Sequence, residues 1–302
     1  MTTRYLLILG MVLLLGSQRS LAQQDPQYTQ YMYNMNVINP AYAGSKESLS
    51  VGALYREQWS GVEGAPQTLT FNAHTPLGNG LGVGLSAIND QIGPTEETNA
   101  FVDLSYTFDI GTDAKLAFGV KGGATFHTSS FTEGYYLDPK DPAFQDDIDE
   151  TYPSVGAGLL YYTEKFYVGL SMPNFLNSTH IDREGRNFGA EQKHYFVTAG
   201  YVFDLNSFIK FKPSTLIKSE LSSEVSFDVN ANFLFYDRFE VGASYRYEDA
   251  FSALASVRAT DWVQVGVAYD ATTSSLDEPS YEAFVIFDIN FKKKTYVSPR
   301  YF

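Results

Sequence analysis

The sequence predicts an all-β fold: a transmembrane antiparallel β-barrel of about 14 strands with a short N-terminal helix or plug segment. Period-two alternation of apolar and polar residues dominates from Leu49 onward. The alternating stretches come to an even number, as closure of a bacterial outer-membrane barrel requires, and many have about the ten residues that cross a bilayer obliquely. Connections after even-numbered stretches are short, whereas those after odd-numbered ones include two long ones, 128–153 and 173–193. A soluble sandwich alternates in the same way strand by strand, but it has no reason to sort its loops by length.

In chain order, residues 1–22 read as a signal peptide. Arg4 supplies the positive start, Leu6 to Leu15 an apolar core too short to span a bilayer, and Ser20-Leu21-Ala22 the small residues at a cleavage site. Residues 23–48 form a plug-like segment and 49–302 the barrel. The stretch "QYTQYMYNMNVINPAYAG", from Gln27 to Gly44, carries no charge and does not alternate. Asp25-Pro26 suits an N-cap and first helical position. Tyr28, Tyr31, Met32 and Met35 follow helical spacing, and Asn39-Pro40 stops the run before a small-residue loop holding Tyr42 and Gly44. Such a helix cannot span a membrane. It can pack inside a barrel or across its periplasmic mouth.

Strands are expected at about 49–59, 67–74, 80–89, 98–109, 114–127, 154–163, 165–172, 194–204, 207–218, 224–235, 238–248, 250–259, 262–270 and 280–291. In the tenth, Val225, Phe227, Val229, Ala231, Phe233 and Phe235 stand opposite Ser226, Asp228, Asn230 and Asn232. The polar parity turns Arg56, Asp103, Lys121, Asp228, Arg246, Arg258, Glu282 and Asp288 inward. Charges of both signs facing one another imply a paired, partly filled interior rather than a wide neutral channel or an oily tunnel. Trp59 and Trp262 fall at opposite strand ends, as interface anchors do.

Composition narrows the function. The formal charge is −14, from 21 basic and 35 acidic residues. Removing the leader, with Arg4 and Arg19, makes it two units more negative. That balance repels nucleic acid, whose binding rests on neutralising phosphates. With no cysteine the chain is neither a lipoprotein nor a disulfide scaffold. Four histidines without a His-x-x-x-His pair give no familiar zinc spacing, and no cofactor is expected. The acidic run from Asp138 to Glu150 lacks the central glycine and terminal glutamate of a helix-loop-helix calcium site, so it reads as a solvated loop. His127-Thr128-Ser129 places a His-x-Ser pair at a strand end, but with lumen parity, whereas an outer-rim lipid hydrolase needs it on the lipid side. No catalytic residue is assigned.

The front segment, with "YREQW" (Tyr55, Arg56, Gln58 and Trp59 among its residues), "GAP" from Gly64, "KFYVGLSMPNF", "FKPSTLIK", "VGVAYD" and the terminal "SPRYF", closely resembles the PorP/SprF family. That family comprises outer-membrane proteins of the type IX secretion system in gliding and related bacteria, and the resemblance covers essentially the whole mature chain. It implies a non-enzymatic outer-membrane protein that supports secretion or surface attachment of clients, among them gliding adhesins with a C-terminal sorting domain. Its partners would be such a client, other components of the secretion system, and outer-membrane lipids. The long outer loops offer a client Tyr135, Tyr136 and Phe144 as apolar anchors, with Asp138, Asp146 and Asp147 to steer. The other readings are a transport barrel for a hydrophobic or small polar solute and, far behind, an outer-rim hydrolase.

Overall fold

The computed structural model describes residues 28–46, 48–131, 147–176, 182–183, 186–187, 193–220, 225–273 and 278–290. Fourteen strands close into an antiparallel barrel: β1 (Leu49–Glu57), β2 (Gln67–Gly78), β3 (Leu81–Ile92), β4 (Thr95–Ile110), β5 (Ala114–Ser129), β6 (Ile148–Tyr162), β7 (Phe166–Met172), β8 (His194–Tyr201), β9 (Ile209–Glu220), β10 (Ser226–Phe235), β11 (Phe239–Arg246), β12 (Ala250–Thr260), β13 (Val263–Thr272) and β14 (Ser280–Ile289). Each strand pairs with its sequence neighbours, and β1 pairs with β14 to shut the ring. A two-residue continuation, Phe203–Asp204, pairs with β9 below a break at Val202. Pro213, which has no N–H to give a ladder, lies between the paired stretches there. A separate hairpin, Asp182–Arg183 with Arg186–Asn187, lies outside the wall.

Short turns mark the periplasmic end. Asn79 (φ 53°) and Gly80 (φ 80°) are the left-handed pair of a two-residue hairpin between Gly78 and Leu81, and Tyr236 (φ 54°) and Asp237 (φ 53°) are left-handed in the three-residue turn between Phe235 and Phe239. The longer connections lie at the opposite, outer end.

The wall is inside out relative to a soluble protein. Val120, Val229, Phe251 and Val267 are each at least half exposed on the outer surface, while Asp103, Lys121 and Asn230 are at most 2% exposed in the interior. An unbroken apolar girdle of this kind is tolerated only against lipid. Aromatic rings rim it at both ends. Tyr106, Phe108 and Phe118 pack edge to face near the periplasmic turns, where Phe203 also stacks on Phe211 and Phe211 meets Phe233 at a tilt, while Tyr245 meets Phe251 and Tyr269 meets Tyr281 near the outer end.

Parity assigned from alternation therefore holds in β5, β10 and β14. It sets a measurable asymmetry. Val229→Arg, on the lipid face in mid-strand, should cost about 2–4 kcal/mol in a denaturant refolding titration into lipid. Asn230→Ser, one residue along, is not silent either. Its amide donates to the Tyr31 hydroxyl at 3.1 Å, so about 1 kcal/mol is expected. Equal losses at both positions would mean that the two faces are misassigned.

Candidate functional site

The front segment lies inside the barrel. It is not one amphipathic helix, as its spacing suggests, but three short turns: a 3-10 turn at Tyr31–Tyr33, an α-turn at Met35–Ile38 and a second 3-10 turn at Pro40–Tyr42. Asn34 (φ −130°) and Asn39 (φ −133°) interrupt it. The physical reason is that wall groups surround the segment on every side, so its buried polar groups are satisfied by the wall rather than by a continuous helix. Asn39 also caps the second 3-10 turn, its Oδ1 accepting from Ala41 N–H at 2.9 Å with Pro40 as the first residue. Asp25 and Pro26 lie outside the described residues.

The segment runs the length of the lumen. At the outer level the N–H groups of Thr29 and Gln30 donate to the two oxygens of Glu282, at 2.9 and 2.7 Å, and Thr29 Oγ1 donates to Asp270 at 2.7 Å. Arg56 binds the same two carboxylates, 2.7 Å from Asp270 and 3.2 Å from Glu282. Arg246 pairs with Asp228 at 3.0 Å and donates to the Tyr28 carbonyl. Tyr28 OH meets Thr70 at 2.9 Å. All of these wall residues sit near the outer ends of their strands.

Midway, Asn72 donates to Asn34 at 2.7 Å, Asn36 donates to Asp103 at 3.0 Å, and Lys121 donates to the Val37 carbonyl at 2.8 Å while lying 3.5 Å from Asp103. Tyr31, Met32, Met35, Val37 and Ile38 fill the space between, packed with Leu54, Ile88, Leu160 and Tyr167. Tyr33 stacks on Phe284 at 4.4 Å. At the periplasmic end Ser105 donates to the Ala43 carbonyl and Lys46 pairs with Asp288 at 3.2 Å. Tyr42 packs edge-on against His74, and Gly44 N–H donates to its Nδ1.

Inward-facing glycines seat the lower half of the plug. A Cβ at Gly119 would stand 2.2 Å from Ala41 N. One at Gly158 would meet Asn39 Oδ1 at 2.1 Å, and one at Gly82 the Ala43 carbonyl at 2.3 Å. A Cβ at Gly44 (φ 70°), on the plug itself, would stand 2.7 Å from Gly82 Cα. Gly119→Leu should accordingly displace the plug while leaving the ladder whole. The expected readout is faster proteolysis of the front segment in a barrel that still migrates anomalously when unboiled; unchanged protection would show that the seat is not tight.

Of the residues singled out from sequence, Tyr28, Tyr31, Met32, Asn39, Pro40, Tyr42, Gly44 and Arg56 come together in this plug and its outer clasp. Tyr55 does not: strand parity turns it to the lipid face, 42% exposed. Gln58 and Trp59 sit in the outer β1–β2 turn, where Gln58 N–H bonds Pro66 O and Trp59 N–H bonds Ser280. Tyr135, Tyr136, Asp138, Phe144 and Asp146 lie outside the described residues, and Asp147 is exposed at the foot of β6. Among the described residues no cluster suited to a metal is found. The His-x-Ser pair is real: Ser129 Oγ lies 3.2 Å from His127 Nε2, and His127 Nδ1 lies 3.5 Å from Glu97. Ser129 is nevertheless 1% exposed and shares its hydroxyl with Thr95, the arrangement of a strand-end polar clip. Sequence reading missed Thr29, Gln30, Asn34 and Asn36 in the plug and Asp270 in the wall. Glycine at lumen parity in "GLGVG" and "AFGVK" was the one signal for the seat.

A family model described as type IX secretion system membrane protein PorP/SprF matches residues 20–287. The chain belongs to the PorP/SprF family. No curated protein sequence matches it. Among solved structures, the CymD monoaromatic hydrocarbon channel superposes with TM-score 0.51 at 11% identity, covering 84% of this chain and 92% of that one. The Acinetobacter baumannii outer membrane protein Omp33 (TM-score 0.46, 10% identity, 82% and 100% covered) and a Pseudomonas aeruginosa FadL homologue (0.45, 11%, 83% and 92%) are also similar. At these identities the likeness to CymD speaks for the barrel alone. The lumen of this PorP/SprF barrel holds the clasped plug, beside which an open cavity in the outer half is lined by Val37, Ile38, Phe101, Phe196 and Leu216.

Proposed function

We propose that this PorP/SprF protein is a closed, non-enzymatic docking barrel of the outer membrane, exported by a cleaved leader, which holds or receives a secreted client on its outer face. The observation that carries this reading is the occupied lumen. A plug tied to charged and polar wall groups by buried hydrogen bonds at its outer end and in the middle, and by the part-buried Lys46–Asp288 pair at its periplasmic end, suits a protein whose task is at its surface rather than along its axis. Family membership supplies the system in which the client is secreted. Client identity, a gliding adhesin with a C-terminal sorting domain among the candidates, follows from the family resemblance. The long outer loops, with Tyr135, Tyr136 and Phe144 as anchors and Asp138, Asp146 and Asp147 as steering charges, are the proposed contact surface.

Deletion of the gene should leave growth on simple medium intact and remove one surface adhesin or secreted client, read by surface proteomics. Trimming 132–146, which spares β6 from Ile148 onward, should weaken client retention while the barrel stays folded and heat-modifiable. A deletion strain that displays every client of the secretion system and instead fails to take up a nutrient would sink this reading in favour of the solute-transport barrel.

A further inference from the structure

The plug leans, and its lean leaves a space. Its outer end is held by one side of the ring: Thr29 and Gln30 bond Asp270 of β13 and Glu282 of β14, and Tyr28 bonds Thr70 of β2 and Arg246 of β11. Farther down it crosses to the other side. There Lys121 of β5 donates to the Val37 carbonyl, Asn39 donates to the Leu159 carbonyl of β6, and Ala41 lies against Gly119. The outer half of the lumen in front of β3, β4, β6 and β8 to β10 is left to the open cavity, about 1020 Å³ with its mouth included. Val37 and Ile38 line its plug side, and it ends where the plug reaches β5 and β6. A ligand that enters from outside leaves by the same mouth.

The lining is not that of a solvated lumen. Ile88, Phe101, Phe196 and Leu216 all stand at inward parity, where the same strands otherwise carry Ser86, Asp103, Thr198 and Ser214. Apolar surface left facing water is unfavourable in proportion to its area, and a concave apolar wall with a few convergent polar groups is how ligand sites are built. One such group is Ser154, whose hydroxyl lines the cavity, is 1% exposed and has no hydrogen-bond partner among the described residues. A buried hydroxyl ordinarily has one. The rim charges balance, Glu97 and Asp228 against Lys218 and Arg246, so the mouth offers no net attraction to an anionic head group. Asn99, Asn174 and Ser226 add donors and acceptors around it.

We propose that this cavity is a socket for one uncharged, extended peptide stretch of the secreted client. Bulky aliphatic or aromatic side chains of that stretch enter between Phe101, Phe196 and Leu216, while its amide groups bond Ser154 and the polar rim. The inference rests on the docking reading and names the place where docking is anchored. An acyl chain has the apolar length to fill the space but only one polar end, and it would leave Ser154 and most of the rim against hydrocarbon. A peptide carries both kinds of group at every residue.

The test uses the full-length protein in its own cells and the client that the deletion strain fails to display. Benzoylphenylalanine placed at Phe196, inside the cavity, should cross-link that client on irradiation. Placed at Tyr195, which strand parity turns to the lipid, it should not. Mass spectrometry of the adduct should find the attached client residue within an uncharged stretch that contains bulky apolar side chains. Leu216→Trp, which fills the cavity, should lower client retention on the order of tenfold, as loss of an anchoring contact does. Ile217→Trp puts the same bulk on the lipid face and should leave retention unchanged; heat-modifiability of both variants reports that the barrel is folded. A deletion strain that loses no client removes the docking reading, and this inference with it. A client that is lost on deletion, yet is not cross-linked from position 196 and is retained by a folded Leu216→Trp barrel, overturns the socket and leaves docking to the outer loops. An adduct at position 196 with lipid alone overturns it in favour of an acyl ligand.

Discussion

Planar bilayers containing the intact protein should show no steady conductance, and a variant lacking Tyr28 to Ile38 should open to a stable level. This is the largest effect expected of any change in the molecule. The deleted stretch supplies the apolar filling of the lumen and every contact with the outer clasp. What remains around it is a ring of polar and charged side chains, Asn72, Asp103, Lys121, Asn230 and Asp228 among them, and such a lumen wets and conducts. The wall ladders make no use of the plug, so the deletion variant should still resist detergent unboiled. A variant that stays closed would show that the outer loops, not the plug, seal the barrel.

Arg56→Ala is expected to cost about 3–5 kcal/mol of refolding stability, because it leaves two buried carboxylates without their cation. Asp270 and Glu282 both face Arg56 and are almost wholly excluded from solvent. Without it they repel one another beside the backbone of Thr29 and Gln30. The same substitution should also loosen the clasp, seen as intermittent openings in the conductance record. Glu282→Gln added to Arg56→Ala should recover part of the stability, since it removes one of the uncompensated charges; the double-mutant cycle measures that coupling. Additive losses would mean that the three groups do not act as a unit.

The clasp shows what separates the two kinds of knowledge. Alternation alone placed Arg56, Asp228, Arg246 and Glu282 on the lumen side, because side-chain direction in a strand has a period of two and a bilayer punishes any error of parity. The same periodicity, with the sorted loop lengths, determined the strand number, the closed barrel and the approximate strand ends. "QYTQYMYNMNVINPAYAG" announced itself as something other than wall because it neither alternates nor carries charge. None of this told which charge meets which. Arg56 and Glu282 are 226 positions apart, and their encounter depends on β14 closing on β1, a register that no local pattern encodes. Helical spacing in the plug was overruled for the same reason: Asn34, Asn36 and Asn39 find their partners in Asn72, Asp103 and Leu159, and those bonds break the helix into turns. Tyr55 shows the converse, a residue grouped with Arg56 by adjacency and parted from it by one step of the pleat. Sequence by itself determined the barrel, its two faces and the presence of a foreign segment at its front. Only the tertiary structure decided that this segment threads the whole lumen from the outer end inward, because direction and depth are fixed by buried polar groups seeking partners across the ring, and those partners become neighbours only when the ring is closed.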